Sequence, residues 1–141
     1  MWRSPKLGES LSWNMHVIRK VIAITALLGA QFAQAQWVLV GPAGETEFYI
    51  DRASISRQST GVRVWEMMNL AKADGEGTRS SRFLVEYDCK GRRSRGLEML
   101  TYGQPMGAGD PLRKLGPDPD GWEPVPADSI YATRMQMACA K

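Results

Sequence analysis

After residue 36 the hydrophobic and polar positions mostly alternate with the two-residue period of half-buried strands. Trp37 to Val40 is a short apolar start, and Glu47 to Ile50 (EFYI) is a second strand ending at Asp51. Val62 to Leu70 (VRVWEMMNL) is β-branched and then apolar on both faces, as expected of a central strand. Arg82 to Cys89 (RFLVEYDC) alternates: Phe83, Val85, Tyr87 and Cys89 share one face, while Arg82, Glu86 and Asp88 point to the other. Leu84 is the exception. Gly91 and the basic residues around it turn the chain into a further strand, Arg95 to Tyr102. The pattern predicts a meander of antiparallel strands joined by short polar turns.

Residues 103–126 carry six of the eight prolines (Pro105, Pro111, Pro117, Pro119, Pro124 and Pro126) among several glycines. That density excludes a long helix or a central strand. It predicts an ordered crossing loop, pinned by Trp122 with Met106 and Leu115. Beyond it, Asp128 or Ser129 can cap a final helix. Tyr131, Met135, Ala138 and Cys139 recur at the spacing of one apolar helix face.

The N-terminus has a different pattern. Arg19 and Lys20 precede an apolar run, Val21 to Ala30, and Ala33-Gln34-Ala35 is a small-x-small cleavage site before Gln36. The run is shorter than the roughly 20 residues a membrane-spanning helix requires. Residues 1–35 are read as an extension and secretory signal cut between Ala35 and Gln36, and residues 36–141 as the working domain. Met15 is an alternative start, because Met15 to Ala35 is already a complete signal. No cysteine follows the apolar run, so the signal is not that of a lipoprotein. The expected location is the periplasm or the cell exterior, with no transmembrane segment after cleavage.

Cleavage changes the charge argument. Four of the 18 Lys+Arg and one of the 15 Asp+Glu lie before Gln36, which leaves a neutral mature chain. The basic excess belongs to the leader, so it offers no case for nucleic-acid binding. The single histidine, His16, leaves with the leader. Histidine-based triads, dyads and zinc sites are thereby excluded. No catalytic residue, metal or cofactor is predicted, and no carboxylate pair is marked as an acid/base couple. Asp118-Pro119-Asp120-Gly121 lacks the further ligands of a calcium loop and reads as a turn.

Cys89 and Cys139 are the only cysteines. In an oxidising compartment they most simply pair, the alternatives being free thiols or bonds between chains. Each shares an apolar face with core candidates, so the bond would lash the terminal helix onto the sheet. Closing a loop of that length stabilises by roughly 4 kcal/mol in the chain-entropy model.

Several short motifs in order carry a family resemblance. They are YID at 49–51 followed by Ser54-Ile55, VWEMMN at 64–69, Ser81 leading to EYDC at 86–89, Tyr102, Trp122 before Pro124, and the late Cys139. The chain resembles the surface-adhesin protein E family over roughly residues 37–139. The resemblance implies an α+β fold: one antiparallel sheet of about six strands, with a C-terminal helix held on its concave face by the disulfide. It also implies a non-enzymatic, adhesin-like binding module for a protein or glycan partner, whether a host matrix protein or an envelope component. A periplasmic enzyme or enzyme inhibitor, or a structural envelope protein, is the alternative class, and a homodimer is compatible with exposed strand edges. Lys90, Arg92, Arg93 and Arg95 are the densest cluster of like charge and the candidate patch for an anionic partner. A solvated hairpin tip is the plainer reading. Trp37, Trp65, Trp122, Tyr49 and Tyr102 suit either an interface or the core of so small a domain.

Overall fold

The computed structural model describes residues 35–118 and 120–141. The leader up to residue 34, with its apolar run and His16, lies outside the described residues.

Among the described residues, eight strands form one antiparallel sheet. They are β1 (Trp37–Ala43), β2 (Thr46–Asp51), β3 (Ser56–Arg57), β4 (Val62–Leu70), β5 (Ser80–Asp88), β6 (Arg93–Tyr102), β7 (Pro111–Leu115) and β8 (Glu123–Pro124). The order is β1-β2-β4-β5-β6-β7; β3 pairs with β4 beyond the end of β2, and β8 pairs with β6 beyond the end of β7. The sheet is thus six strands across, as the family resemblance implies. One helix, α1 (Ile130–Cys139), follows.

Pairing sorts the side chains. Glu66 faces Phe83 and Ile50, Val64 faces Val85, and Val62 faces Tyr87. These positions belong to the helix face, because successive strand residues alternate sides. Ile50, Val62, Val64, Tyr87 and Val125 form the core there with Ala132, Met135 and Ala138 of α1. The Ser129 hydroxyl accepts from the Ala132 N–H at 3.1 Å, which makes Ser129 the helix cap. Asp128 instead adopts a positive φ of 54° in the turn before it.

Three sequence expectations need correction. Tyr131 is 50% exposed rather than buried on the helix's apolar face. It sits in the first helical turn, where its ring lies 4.6 Å from the Arg134 guanidinium, and Ala132 and Arg134 take the buried positions. Glu86, by contrast, lies on the face assigned to it, and basic side chains enclose it there so that it is fully buried. The proline-rich stretch is not all loop: β7 is an exposed edge strand that begins at Pro111, and β8 ends at Pro124. Proline is tolerated at strand starts and sheet edges, where no ladder hydrogen bond is lost. Leu115, on that edge, is 50% exposed and pins nothing.

Cys89 falls in the turn just past β5, and Cys139 is the last residue of α1. The two are joined, with Cα atoms 6.0 Å apart and a sequence separation of 50.

Candidate functional site

Two surfaces of the domain are the candidates for binding a partner. The first is the β5–β6 turn, where Lys90, Arg92, Arg93 and Arg95 come together but take different roles. Asp88 builds the turn by accepting from the Gly91 N–H at 2.8 Å and from Arg93 Nη2 at 2.7 Å. Those bonds hold the Asp88 carboxyl below its usual range. Arg95 stands directly across from Glu86 on the neighbouring strand and places Nε at 2.7 Å and Nη2 at 2.5 Å from Glu86 Oε2. The other Glu86 oxygen accepts from the Thr60 hydroxyl and lies 3.5 Å from Arg63 Nε. Burial pushes the Glu86 carboxyl up, but the Thr60 and Arg95 hydrogen bonds and the charges of Arg95 and Arg63 leave it lowered on balance.

Trp122 completes this surface. Its ring centre is 4.6 Å from the Arg95 guanidinium and 5.5 Å from that of Arg93, both within cation–π range. Lys90 and Arg92 are exposed and have no ion pair among the described residues. The sequence cluster therefore divides into two structural arginines and two free cations beside a tryptophan.

The second surface is a groove on the helix face, where α1 stops short of β6 and β7. It comprises two adjoining cavities of about 280 and 430 Å³ that share Phe83 and Gly96. Phe48, Met68, Val85 and Tyr131 line the first, and Met99 and Leu115 the second. In the first cavity Arg134 Nη1 donates to Glu66 Oε2 at 2.5 Å, with the two side chains 7% and 1% exposed. The Tyr87 hydroxyl donates to the other Glu66 oxygen. Burial pushes the Glu66 carboxyl above its ordinary range, and the Arg134 charge and Tyr87 hydrogen bond oppose that rise. Burial and the neighbouring carboxylate push the Tyr87 phenol up as well.

Sequence reasoning missed this ion pair. The signal was present: Glu66 occupies a core-facing phase between Val64 and Met68 on an otherwise apolar strand face, and such an acid requires a partner. Among the described residues, no group of three or more His, Cys, Asp or Glu side chains is arranged to hold a metal ion. Asp118 Oδ1 accepts from the Asp120 N–H at 3.0 Å, which is the geometry of a polar turn. No helix among the described residues is long and apolar enough to cross a membrane.

A single antiparallel sheet with a disulfide-tethered terminal helix, and with open surfaces at a turn and a groove, defines a disulfide-stapled α+β domain. The chain belongs to the surface-adhesin protein E family, whose sequence profile matches residues 37–140. Its fold is similar to that of Haemophilus influenzae protein E in crystal form II, at 17% identity and a TM-score of 0.50. The match covers 77% of this chain and 97% of the other. No curated protein matches the sequence.

Proposed function

We propose that the mature domain is an exported, non-enzymatic binding module that engages an anionic protein or glycan through the β5–β6 turn. Family membership supports an adhesin-like surface protein. The observation that carries the choice of surface is the division of labour at the turn. Arg93 and Arg95 are tied to Asp88, Glu86 and Trp122, which leaves Lys90 and Arg92 free on a rigid platform. A preorganised platform lowers the entropy lost when a partner binds. Export through a cleaved, non-lipoprotein signal is part of this reading and rests on the sequence of residues 1–35.

The test is Lys90→Ser with Arg92→Asn. Asn is chosen because residue 92 has φ 51° and Asn tolerates that left-handed region. Affinity for heparin or an acidic matrix protein should fall about tenfold, as expected when contacts worth about 1.4 kcal/mol are lost. Its salt dependence should flatten. Unchanged affinity would refute the role of the turn. A second reading is favoured by the half-open apolar groove: a partner protein inserts an apolar side chain between Phe83, Met99 and Leu115. Leu115→Asp would then abolish binding that the turn variant leaves intact.

A further inference from the structure

The start of β1 is fastened in an unusual way. The Gln36 backbone N–H donates to Asp51 Oδ1 at 2.8 Å, and the Gln36 carbonyl accepts from the Arg52 N–H at 3.2 Å. Asp51 is only 7% exposed. Its Oδ1 also accepts from the Ala53 N–H at 3.0 Å, while its carbonyl accepts from the Ser54 hydroxyl at 2.7 Å. The 3-10 turn over Arg52–Ser54 therefore fixes the carboxylate before the chain end reaches it. Ala35, immediately upstream, is exposed and lines a small cavity with Trp37, Asp51, Trp65, Arg82 and Leu100.

We infer that Asp51 is the receptor for the amino terminus that cleavage between Ala35 and Gln36 creates. The inference rests on the reading that the leader is cut there. In the precursor the atom facing Asp51 is a neutral amide nitrogen. After the cut that same atom is an ammonium, and the hydrogen bond becomes a charge-assisted ion pair with a carboxylate that water barely reaches. The register is exacting. A cut one residue earlier leaves residue 36 an amide, with the charge on exposed Ala35. A cut one residue later removes Gln36 and both of its backbone bonds.

The held ammonium also protects Gln36 from cyclising. Pyroglutamate forms when the neutral α-amine attacks the side-chain Cδ: the N–Cδ bond forms, the Cδ–Nε2 bond breaks, and ammonia departs with the amine's proton. An amine kept protonated against Asp51 has no lone pair for that attack. Cyclisation leaves one N–H on the nitrogen but removes its charge, so the free and cyclised forms isolate the ion pair within an unchanged chain.

The experiment uses protein exported from the full-length gene. Mass analysis of its N-terminus reads the cut; a start other than Gln36 overturns the proposal by way of the leader reading alone. Thermal melting is then compared for the free form, the same protein after glutaminyl cyclase, and a form with one alanine inserted between Ala35 and Gln36. The free form should melt about 4 °C or more above the other two, the size expected when a charged hydrogen bond becomes a neutral one. Asp51→Asn should erase that gap and speed spontaneous cyclisation. A correct cut with all three forms melting together overturns the role of Asp51 while leaving the leader reading intact.

Discussion

Replacing Arg134 by Met tests the ion pair inside the groove. Met keeps much of the side chain's length and apolar character but removes the charge, along with the guanidinium that lies 5.1 Å from the Phe48 ring centre. Glu66 is 1% exposed and would keep only the Tyr87 hydroxyl as a partner. Stranding one member of a buried pair costs about 3–5 kcal/mol. A cost of that size is comparable with much of the stability of a small domain. The penalty should also depend on pH in a fixed direction. Burial already holds the Glu66 carboxyl above its unfolded value, and losing Arg134 removes the charge that opposes the rise. A carboxyl raised in the folded state contributes stability that is fully present below the unfolded value and is lost as pH rises through the folded one. The deficit should therefore grow between pH 5 and 8, by at most about 1.4 kcal/mol per pH unit. Urea titrations of the oxidised protein, followed by tryptophan fluorescence at both pH values, would measure it. The double change Glu66→Gln/Arg134→Met should recover most of the loss, because no charge is left stranded. A deficit equal at pH 5 and pH 8, or below about 1 kcal/mol at pH 8, would refute this account.

The disulfide variant Cys89→Ser/Cys139→Ser should lose roughly 4 kcal/mol in chemical denaturation, as the 50-residue separation implies. Arg95→Ser should cost about 1–3 kcal/mol by leaving Oε2 of buried Glu86 without its partner, whereas Lys90→Ser should stay within about 0.5 kcal/mol. Because the Glu86 carboxyl is lowered in the folded state, its contribution is present above the unfolded value and fades as acid titrates through the folded one; the Arg95→Ser deficit should shrink there. Gly61→Ala should destabilise by more than about 1 kcal/mol in a thermal melt, since its Cβ would lie 2.3 Å from the Tyr87 backbone carbonyl oxygen, which cannot step aside.

Strand identity was legible because β5 alternates with a two-residue period, β4 is β-branched and then apolar on both faces, and short polar turns separate the apolar runs. The disulfide was legible because only two cysteines exist and both border apolar faces. The polar interior was not. Alternation assigns Glu86 to the face opposite the helix, but it does not fix the hairpin register that sets Arg95 directly across from Glu86 to cover that carboxylate. Residue spacing likewise groups Lys90, Arg92, Arg93 and Arg95 as one surface, although Arg95 bonds across the sheet and Lys90 bonds to no acid among the described residues. β7 was hidden for another reason. Its five residues are all exposed, so no burial pattern marks them, and an edge strand held by backbone bonds to β6 needs none.

The helix explains how the two surfaces stand in relation to one another. Ten residues are too few for a stable isolated helix in water, so α1 depends on its attachments. Ser129 caps its start, Arg134 joins Glu66 in its middle, and Cys139 closes its end on Cys89, while the Ala140 carbonyl accepts from Arg57 Nη2 at 2.7 Å. Arg134 and Tyr131 form one wall of the groove, so the central attachment sets that wall. Cys89 immediately precedes Lys90, so the terminal attachment anchors the cationic turn. One short helix thus supports both surfaces, the groove from its middle and the turn from its last residue. The ion pair and the disulfide are therefore separable controls: losing the first alters the groove beside Tyr131, and losing the second frees the base of the turn that carries Lys90 and Arg92.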